Sequence, residues 1–328
     1  MKSFEWADAT SIDQAVALTV KGSAYKAGGV DVVDLMKERL FEPTRLINLR
    51  TISGLDQISY DEKAGLKLGP LVTLATLASH DVIRSKYQAL AQSAGHAATP
   101  QIRNMATLGG NILQRPRCWY FRNEAFHCRK KGGETCFAQD GENQYHAIFN
   151  NGLCAIVHPS ATACALIALG GQLEITDGKD KRHIAIEDFL TPPSVDVHRE
   201  NSLKEGELIT QIIVPAIPPS AKSYYIKQGE KESFDWPVAE VAVVIDRDGD
   251  TCKSVSIVLG AAAPTPLRAT ASEEMLKGKK IDESLARQAA NAAMTDATPL
   301  SNNGYKITIF KAIIARAILA AVDGKQEA

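Results

Sequence analysis

The stretch TPQIRNMATLGGNILQRPR, residues 99–117, decides the fold of this chain. It contains the glycine pair Gly109 and Gly110 among polar residues that would be poor material for a core. Those polar residues are Arg103, Asn104, Thr107 and Asn111. Glycines beside short polar side chains suit a backbone cradle for a polyphosphate, because successive backbone N–H groups can face an anion there. The stretch therefore predicts a phosphate-binding segment.

A second glycine pair lies near the N-terminus, in AYKAGGVDVVDLMK, residues 24–37. Gly28 and Gly29 follow a short extended stretch and precede a helical turn. Paired glycines let the backbone approach a phosphate closely, and the N-terminus of the following helix favours negative charge. An isolated pair of this kind more often marks a tight turn in an α/β unit. Two such segments in one chain favour a dinucleotide.

Four of the six cysteines follow the spacing C-x9-C-x7-C-x17-C, which indicates a single site. They are Cys118, Cys128, Cys136 and Cys154. Thiolates bind both zinc and iron–sulfur clusters, so their number alone leaves both groups open. Structural zinc usually takes paired cysteines two to four residues apart, and none of these gaps is that short. The wide gaps fit a cluster covered by a loop.

The segment that carries these cysteines, residues 115–155, has no sustained periodicity. We interpret it as an insertion that buries too little apolar surface to order itself and is held by its ligands. His127 and His146 are possible ligands, but surface positions in a loop are the expectation for both. Cys164 and Cys252 lie in apolar surroundings and are predicted to be core thiols. The basic residues of the segment could offset the charge of a thiolate centre, form a solvated face or dock a partner: Arg115, Arg117, Arg122, Arg129, Lys130 and Lys131.

The composition is that of a soluble globular protein, with 328 residues, 45% apolar and 23% charged. Lys plus Arg number 37 and Asp plus Glu number 38, so no overall field favours nucleic acid. The N-terminal MKSFEWADATSIDQ lacks the basic start and apolar core of a secretory signal. No apolar run approaches the roughly 18 residues of a membrane helix. We expect no nucleic-acid partner, no membrane insertion and no export signal in the chain itself.

Periodicity predicts alternating helices and strands. SIDQAVALTV (11–20) begins with Ser11 and has Gln14 three residues later, which predicts a capping-box helix. A helix is also expected over residues 86–98. VAEVAVVI (238–245) and SVSIVLGAA (254–262) predict buried strands, and ITIFKAIIARAILAAV (307–322) predicts a long helix packed on them. The Pro-rich residues 215–219 are the best linker candidate, and the terminal GKQEA (324–328) is expected to fray.

Four motifs in this order resemble the FAD-binding subunit of the molybdenum hydroxylases, the family of xanthine dehydrogenase and carbon monoxide dehydrogenase. They are AGGVDVVDLMK (27–37), QIRNMATLGGNI (101–112), HPSA (158–161) and GELI (206–209). NMATLGGNI is highly specific, whereas GELI means little by itself. The cysteine segment is similar to the 4Fe-4S insertion of 4-hydroxybenzoyl-CoA reductases and of periplasmic aldehyde oxidoreductases.

The resemblance implies an α+β fold, with a vanillyl-alcohol-oxidase-type FAD-binding domain of two subdomains and a small C-terminal α+β domain. The first subdomain is expected over residues 1–55, and the second over 56–218 with the 4Fe-4S insertion at 115–155. The C-terminal domain is expected over 219–328. It further implies a 4Fe-4S cluster on Cys118, Cys128, Cys136 and Cys154.

The resemblance also implies which residues contact FAD, namely Lys26, Ala27, Gly28, Gly29, Val30, Asp31, Val32, Ala106, Thr107, Gly109, Gly110, Asn111, Ser160, Ala161, Leu208, Ile209 and Lys227. Lys227 would lie near the flavin ring, where a cation stabilises the reduced form. Three positions depart from the family pattern. Val30 and Asp31 replace a common Thr and Asn, and Ala161 replaces an acidic residue, so two or three hydrogen bonds of about 0.5–1.5 kcal/mol each would be missing.

The implied function is electron transfer within a complex. Partner subunits would carry the molybdenum cofactor and two 2Fe-2S clusters, and FAD in this chain would pass electrons to an external acceptor, with no catalytic acid or base needed here. Two alternatives remain: a self-sufficient flavin oxidoreductase, and a non-catalytic scaffold in which zinc holds the cysteine loop. The expected location is the cytoplasm, or the periplasm if a partner with a twin-arginine signal exports the folded chain.

Overall fold

The computed structural model describes residues 1–231 and 233–323, and in this part of the chain the strands form three sheets. The first sheet is parallel, in the order β1-β3-β2. Its elements are β1 (Glu5–Asp8), α1 (Ile12–Ala17), β2 (Ser23–Lys26), α2 (Val30–Lys37) and β3 (Arg45–Asn48). Ser11 caps α1 as predicted, since its Oγ accepts from the N–H of Gln14 at 3.1 Å. The Gln14 side chain accepts from Thr10 instead of completing the box at Ser11.

The second sheet is antiparallel, in the order β4-β5-β8-β6-β7. Its strands are β4 (Ile58–Asp61), β5 (Gly65–Leu68), β6 (Gln172–Thr176), β7 (Lys181–Ala185) and β8 (Leu208–Val214). The helices of this region are α3 (Leu74–Ser79), α4 (Asp81–Lys86), α5 (Gln88–Gly95), α6 (Pro100–Arg103), α7 (Leu108–Ile112), α8 (Trp119–Arg122), α9 (Ala161–Ala168) and α10 (Ile186–Phe189), with a 3₁₀ turn at Arg129–Lys131. The helix expected from residue 86 starts two residues later, because Tyr87 has φ −123° and ψ 49° and separates α4 from α5.

The third sheet is antiparallel, in the order β12-β11-β10-β9. Its elements are β9 (Lys222–Gln228), β10 (Ala239–Asp248), β11 (Thr251–Gly260), β12 (Leu267–Arg268), α11 (Thr270–Leu276), α12 (Glu283–Ala292) and α13 (Tyr305–Asp323). As expected from its periodicity, α13 packs on β9 and β10. The predicted fraying of residues 324–328 lies outside the described residues.

Helix α9 packs on β10 and β11 of the third sheet, and every residue of it is buried. A helix that is apolar all round suits such a position, because it has no solvent face. The main core joins α9 to the second and third sheets, and Cys164 of α9 is fully buried there, as predicted. Cys252 is equally buried, in the separate core under α13. The domain divisions expected after residues 55 and 218 fall between consecutive sheets and stay a prediction.

The cysteine insertion packs more extensively than its sequence suggested. That its ligands hold it in place stays a prediction. Its rings contact one another edge to face or stacked, as Tyr120 does with Phe126 and Phe137 at centroid distances of 5.0 and 6.0 Å. Phe121 is 2% exposed and packs against Leu35 of α2. The aromatic residues therefore give this segment a packed apolar interior without regular periodicity. Of the described helices, none is long and apolar enough to cross a membrane.

Candidate cofactor site

A cavity of about 510 Å³ lies where the three sheets meet, within the 300–1,000 Å³ range typical of ligand pockets. It is lined by the α2 turn, the α6–α7 segment, the start of α9, the start of β8 and the facing ends of β9 and β10. All of the predicted FAD contacts line it except Lys26 and Ser160. Lys26 turns away, with its ammonium 5.3 Å from the ring centroid of Trp6. The sequence thus assembles one cavity from segments that are far apart in the chain.

The first glycine pair joins two of these segments. A Cβ on Gly28 would overlap the carbonyl oxygen of Met105, so only glycine lets the α2 turn lie against the α6–α7 segment. Gly29 has φ +84° and is the N-cap of α2, with no side chain capping the helix. The first backbone N–H groups of a helix lack intrahelical partners. Here they border the cavity at residues 30–32, which makes them the natural donors to an anionic group.

The second glycine pair contributes space more than donors. The N–H of Gly109 donates to the carbonyl of Pro70 at 2.9 Å, and a Cβ on Gly109 would lie 2.9 Å from the Pro70 side chain. The N–H of Gly110 donates to Thr107 Oγ1 at 3.2 Å. A Cβ on Gly110 would meet only that oxygen, at 3.0 Å, and otherwise occupy the cavity. Gly109 therefore serves packing, whereas Gly110 leaves room for a ligand.

Asn111 is held in one orientation by two hydroxyl groups. Its Oδ1 accepts from Ser160 Oγ at 2.7 Å and from Thr162 Oγ1 at 2.6 Å. Ser160 also caps α9, accepting from the N–H of Ala163 at 3.0 Å, and it does not itself line the cavity. With its oxygen occupied, Asn111 has its amide nitrogen left to donate, and the residue lines the cavity. Ala161, which does line the cavity, offers no side-chain hydrogen bond.

Asp31 ties the cavity to the cysteine insertion. Its carboxylate accepts from the backbone N–H of Arg115 at 2.9 Å and from Arg122 at 2.8 Å, and it also pairs with Arg117. Burial raises the pKa of Asp31, but the two guanidinium groups and the backbone donor outweigh burial and hold that pKa below its ordinary value. An Asn at this position would carry no charge to offset the two arginines and would lack the second oxygen that accepts from the N–H of Arg115.

The basic residues of the insertion are engaged in holding it rather than forming a solvated face. Lys130 is 4% exposed and pairs with Glu200 at 2.7 Å. Arg115 binds the same carboxylate with two hydrogen bonds, at 2.9 and 3.0 Å. Arg129 and Lys131 donate to backbone carbonyls of the insertion itself.

The far end of the cavity is formed by the third sheet. Lys227 of β9 lies opposite Glu240 of β10 in the strand register, and its ammonium donates to the carbonyl of His96 at 3.0 Å. Burial lowers the pKa of Lys227, while the carboxylate of Glu240 acts in the opposite direction. Leu208 and Ile209, at the start of β8, are buried in the apolar wall. A planar apolar ring with polar edges fits this mixture of aliphatic and charged groups.

Aromatic side chains mark the mouth of the cavity. Phe234 and Trp236 line it and are 58% and 54% exposed. Trp236 also stacks on the guanidinium of Arg117, which lies 4.8 Å from its ring centroid. Sequence reasoning missed these residues and Glu240. A charged residue within the apolar strand VAEVAVVI was the available signal for Glu240.

The four predicted metal-ligating cysteines line one small cavity of about 10 Å³. Burial raises the pKa of Cys118 to about 11. A hydrogen bond between Cys136 and Cys154 lowers the pKa of the Cys136 thiol and raises that of Cys154, which favours a thiolate on Cys136. Among residues 1–231 and 233–323, no three His, Cys, Asp or Glu side chains are placed to hold a single metal ion.

His146 belongs to this cysteine group, so the surface position expected for it is wrong. It is 4% exposed, and its Nε2 lies 3.2 Å from the sulfur of Cys118. The ring is buried because Trp119 and Tyr120 pack around it, at centroid distances of 5.3 and 6.2 Å. His127 is exposed, as expected.

Comparison with known proteins places this arrangement in a family. Residues 2–217 match the FAD binding domain in molybdopterin dehydrogenase, and residues 224–321 match the CO dehydrogenase flavoprotein C-terminal domain. The chain is 32% identical to the aldehyde oxidoreductase FAD-binding subunit PaoB of Escherichia coli (strain K12) over 326 residues, 98% of this chain and 99% of that protein. It is 27% identical to the carbon monoxide dehydrogenase medium chain of Afipia carboxidovorans over 303 residues, 92% of this chain and 88% of that one.

A solved structure shows the same fold. Reconstituted CO dehydrogenase from Oligotropha carboxidovorans contains a chain that superposes with a TM-score of 0.78 at 25% identity, covering 98% of each chain. The predicted α+β architecture is confirmed, and so is the assignment to an oxidoreductase that uses FAD. The chain belongs to the FAD-binding medium subunits of the molybdenum hydroxylase family.

Proposed function

We propose that FAD occupies the 510 Å³ cavity with its diphosphate at the two glycine pairs and its ring near Lys227. The observation that carries this assignment is the meeting of both glycine segments at one cavity whose other end holds a half-buried cation. The α2 N-terminus supplies backbone donors, and Asn111 supplies an oriented amide. Gly110 supplies the space.

Bound FAD supplies reversible two-electron chemistry, and this chain's residues bind and orient it. Lys227 offers positive charge to a ring that gains negative charge on reduction. The buried side chains of Leu208 and Ile209 would form an apolar part of the cavity wall that excludes water from the bound cofactor. We assign no catalytic acid or base for a substrate to this chain, because its role is to pass electrons and not to bind the molecule that is oxidised.

The proposed electron path begins in partner subunits. A large subunit with the molybdenum cofactor oxidises the substrate, a small subunit with 2Fe-2S clusters relays the electrons, and this chain delivers them through FAD to an external acceptor. The relatives reported above are named as a medium chain and as an FAD-binding subunit, which supports a multi-subunit complex. The exposed Phe234 and Trp236 at the mouth provide the surface for an approaching acceptor.

We further propose that Cys118, Cys128, Cys136 and Cys154 bind one 4Fe-4S cluster. Four thiols around one cavity form the all-cysteine ligand set of such a cluster. The hydrogen bond with Cys154 and the charge of Arg129 lower the pKa of Cys136, which favours the thiolate form that binds iron; the pKa of Cys154 is raised by that hydrogen bond and by burial, although Lys130 opposes this. Because the cavity is only about 10 Å³, cluster binding would have to move the cysteine-bearing loops apart. No match reported above names such a cluster, so the proposal rests on these residues.

The absorbance spectrum of the purified chain, with iron and acid-labile sulfide analysis, tests both cofactor assignments. Flavin gives resolved visible bands, whereas a 4Fe-4S centre adds a broad shoulder. Stoichiometric zinc without iron or sulfide, in protein purified with and without oxygen, would exclude the cluster. Turnover of aldehydes by the isolated chain at the rate of a full complex would exclude the proposed dependence on partners.

For the location we propose the cytoplasm, or the periplasm if a partner with a twin-arginine signal carries the folded complex. Fractionation of cells with and without that partner distinguishes these sites.

A further inference from the structure

Glu240 is a buried carboxylate in the wall of the proposed FAD cavity. It is 1% exposed, within the apolar strand β10. Its Oε1 accepts a hydrogen bond of 2.5 Å from the hydroxyl of Tyr225. Its Oε2 is buried and has no hydrogen-bond partner among the described residues. A buried carboxylate oxygen left unpaired is costly, so this atom calls for a functional explanation.

The neighbouring strand makes room for this oxygen. Gly260 of β11 lies directly opposite Glu240 in the strand register. A Cβ at that position would overlap Oε2, so glycine is required for the observed side-chain position. On the other side, Lys227 of β9 lies opposite Glu240. Directly opposed residues in antiparallel strands have their Cβ atoms about 4.5–5.5 Å apart and share one face of the sheet.

Four titratable groups on the elements packed around Glu240 interact electrostatically with its carboxylate. Tyr225 and Lys227 come from β9, Cys164 from α9, and Lys306 from α13. The ring of His96, which follows the last residue of α5, lies against Tyr225 at a centroid distance of 6.5 Å. Burial raises the pKa of Glu240 to about 7, although the Tyr225 hydrogen bond and the two lysines act to lower it. Glu240 therefore exchanges a proton near neutral pH.

We propose that Glu240 takes up a proton when the flavin bound in this cavity is reduced. The inference rests on the proposed function, since it needs the ring beside Lys227. Two electrons from a reductant, an iron–sulfur protein in the complex or dithionite in a test, and one proton leave the ring with one negative charge. A second proton converts the Glu240 carboxylate to the acid at Oε2. One negative charge is lost as one is gained, so Lys227 faces a single anion in both redox states.

The proton count is measured by the pH dependence of the flavin midpoint potential in the full chain loaded with FAD and titrated with dithionite. Each proton taken up in a two-electron step contributes about 30 mV per pH unit. Above pH 7 the wild-type slope should correspond to two protons, and it should fall to one proton below that pH, where Glu240 is already protonated. A proton titrating on the ring itself gives the reverse, with the steeper slope at low pH.

The Glu240→Gln variant should show the one-proton slope on both sides of pH 7. The matched control is Glu187→Gln on α10, a carboxylate that pairs with Arg268 and is 45% exposed; this change should leave the slope unaltered. Tyr225→Phe keeps the carboxylate but removes a hydrogen bond that lowers its pKa, so the bend should move to higher pH.

Infrared difference spectra give a second measurement that does not depend on Glu240→Gln folding. Reduction of the wild-type protein should produce the carbonyl band of a protonated carboxylic acid, and Tyr225→Phe should shift that band. FAD retained in Glu240→Gln with the wild-type slope would overturn the proposal, as would a wild-type spectrum without the acid band. Wild-type protein that retains no FAD would instead refute the assignment of the cavity.

Discussion

Replacing Gly110 by Ala separates ligand binding from folding. A methyl group at this position meets only Thr107 Oγ1, at 3.0 Å, and otherwise occupies space that we assign to FAD. Overfilling a packed site by one methyl costs about 1–3 kcal/mol, which is roughly 5- to 150-fold in the dissociation constant. The free protein should change little in stability, because the gain of up to about 1 kcal/mol from replacing glycine with alanine inside a helix offsets the tight contact with the capping oxygen of Thr107. Gly110→Val should abolish FAD retention.

Two matched glycines complete this test. Gly95→Ala, at the end of α5 and outside the cavity, would place its methyl 3.5 Å from Ala78 Cβ and should leave FAD affinity unchanged. Gly28→Ala would force apart two backbone segments and should lower the stability of the FAD-free protein by about 1–3 kcal/mol. The assays are FAD titration of deflavinated protein by flavin fluorescence and urea denaturation without FAD. Wild-type FAD affinity in Gly110→Ala would refute the assignment of this glycine to the ligand.

Three further changes test other parts of the structure. Cys128→Ser should remove iron, sulfide and the broad absorbance, increase proteolysis within residues 115–155 and keep the flavin bands, whereas Cys252→Ser, a core thiol elsewhere, should keep the iron. Asp31→Ala removes the carboxylate that pairs with the partly buried Arg117 and Arg122, and it should lower the free energy of unfolding in urea by roughly 3 kcal/mol. An unchanged free energy of unfolding would contradict the proposed stabilisation of the insertion by Asp31. Burial lowers the pKa of His158 from 6.5 to about 4. As the pH decreases, the imidazole is therefore protonated in the unfolded chain before it is protonated in the folded chain. Stability should therefore fall by about 3 kcal/mol as the pH decreases from 6.5 to 4, and His158→Gln should flatten that decline.

Local features of the fold were accessible from the sequence. Ser11 caps α1 because a hydroxyl at that position reaches the N–H of a residue three positions on. The apolar spacing in residues 307–322 fixes which face of α13 is buried. Both signals lie within a few residues of each other, where the geometry of a helix relates sequence to space directly.

Contacts between distant residues were not accessible in this way. Asp31 and Arg117 are 86 positions apart, and nothing in either neighbourhood indicates their pairing. His146 was expected at the surface because its loop is polar, yet aromatic residues of the same insertion bury it. The sequence alone does not show whether Glu240 is solvated or buried, because its burial depends on the tertiary fold. The cavity-lining glycines were found because paired glycines are visible in the sequence itself, although the partner of Gly28, the carbonyl of Met105, was not.

Because Asp31 pairs with arginines of the insertion, deletion of the insertion and substitution of residue 31 cannot be considered separately. A chain shortened by removal of residues 115–155 would keep the Asp31 carboxylate at the N-terminus of α2 without Arg115, Arg117 and Arg122, in the part of the cavity to which we assign the FAD diphosphate. Like charges at that turn would oppose cofactor loading even though every glycine remained in place. An engineer who transplants this loop into a relative, or deletes it here, must exchange residue 31 in the same step. Glu200, which pairs with Lys130 and Arg115 of the insertion, must be considered in the same exchange.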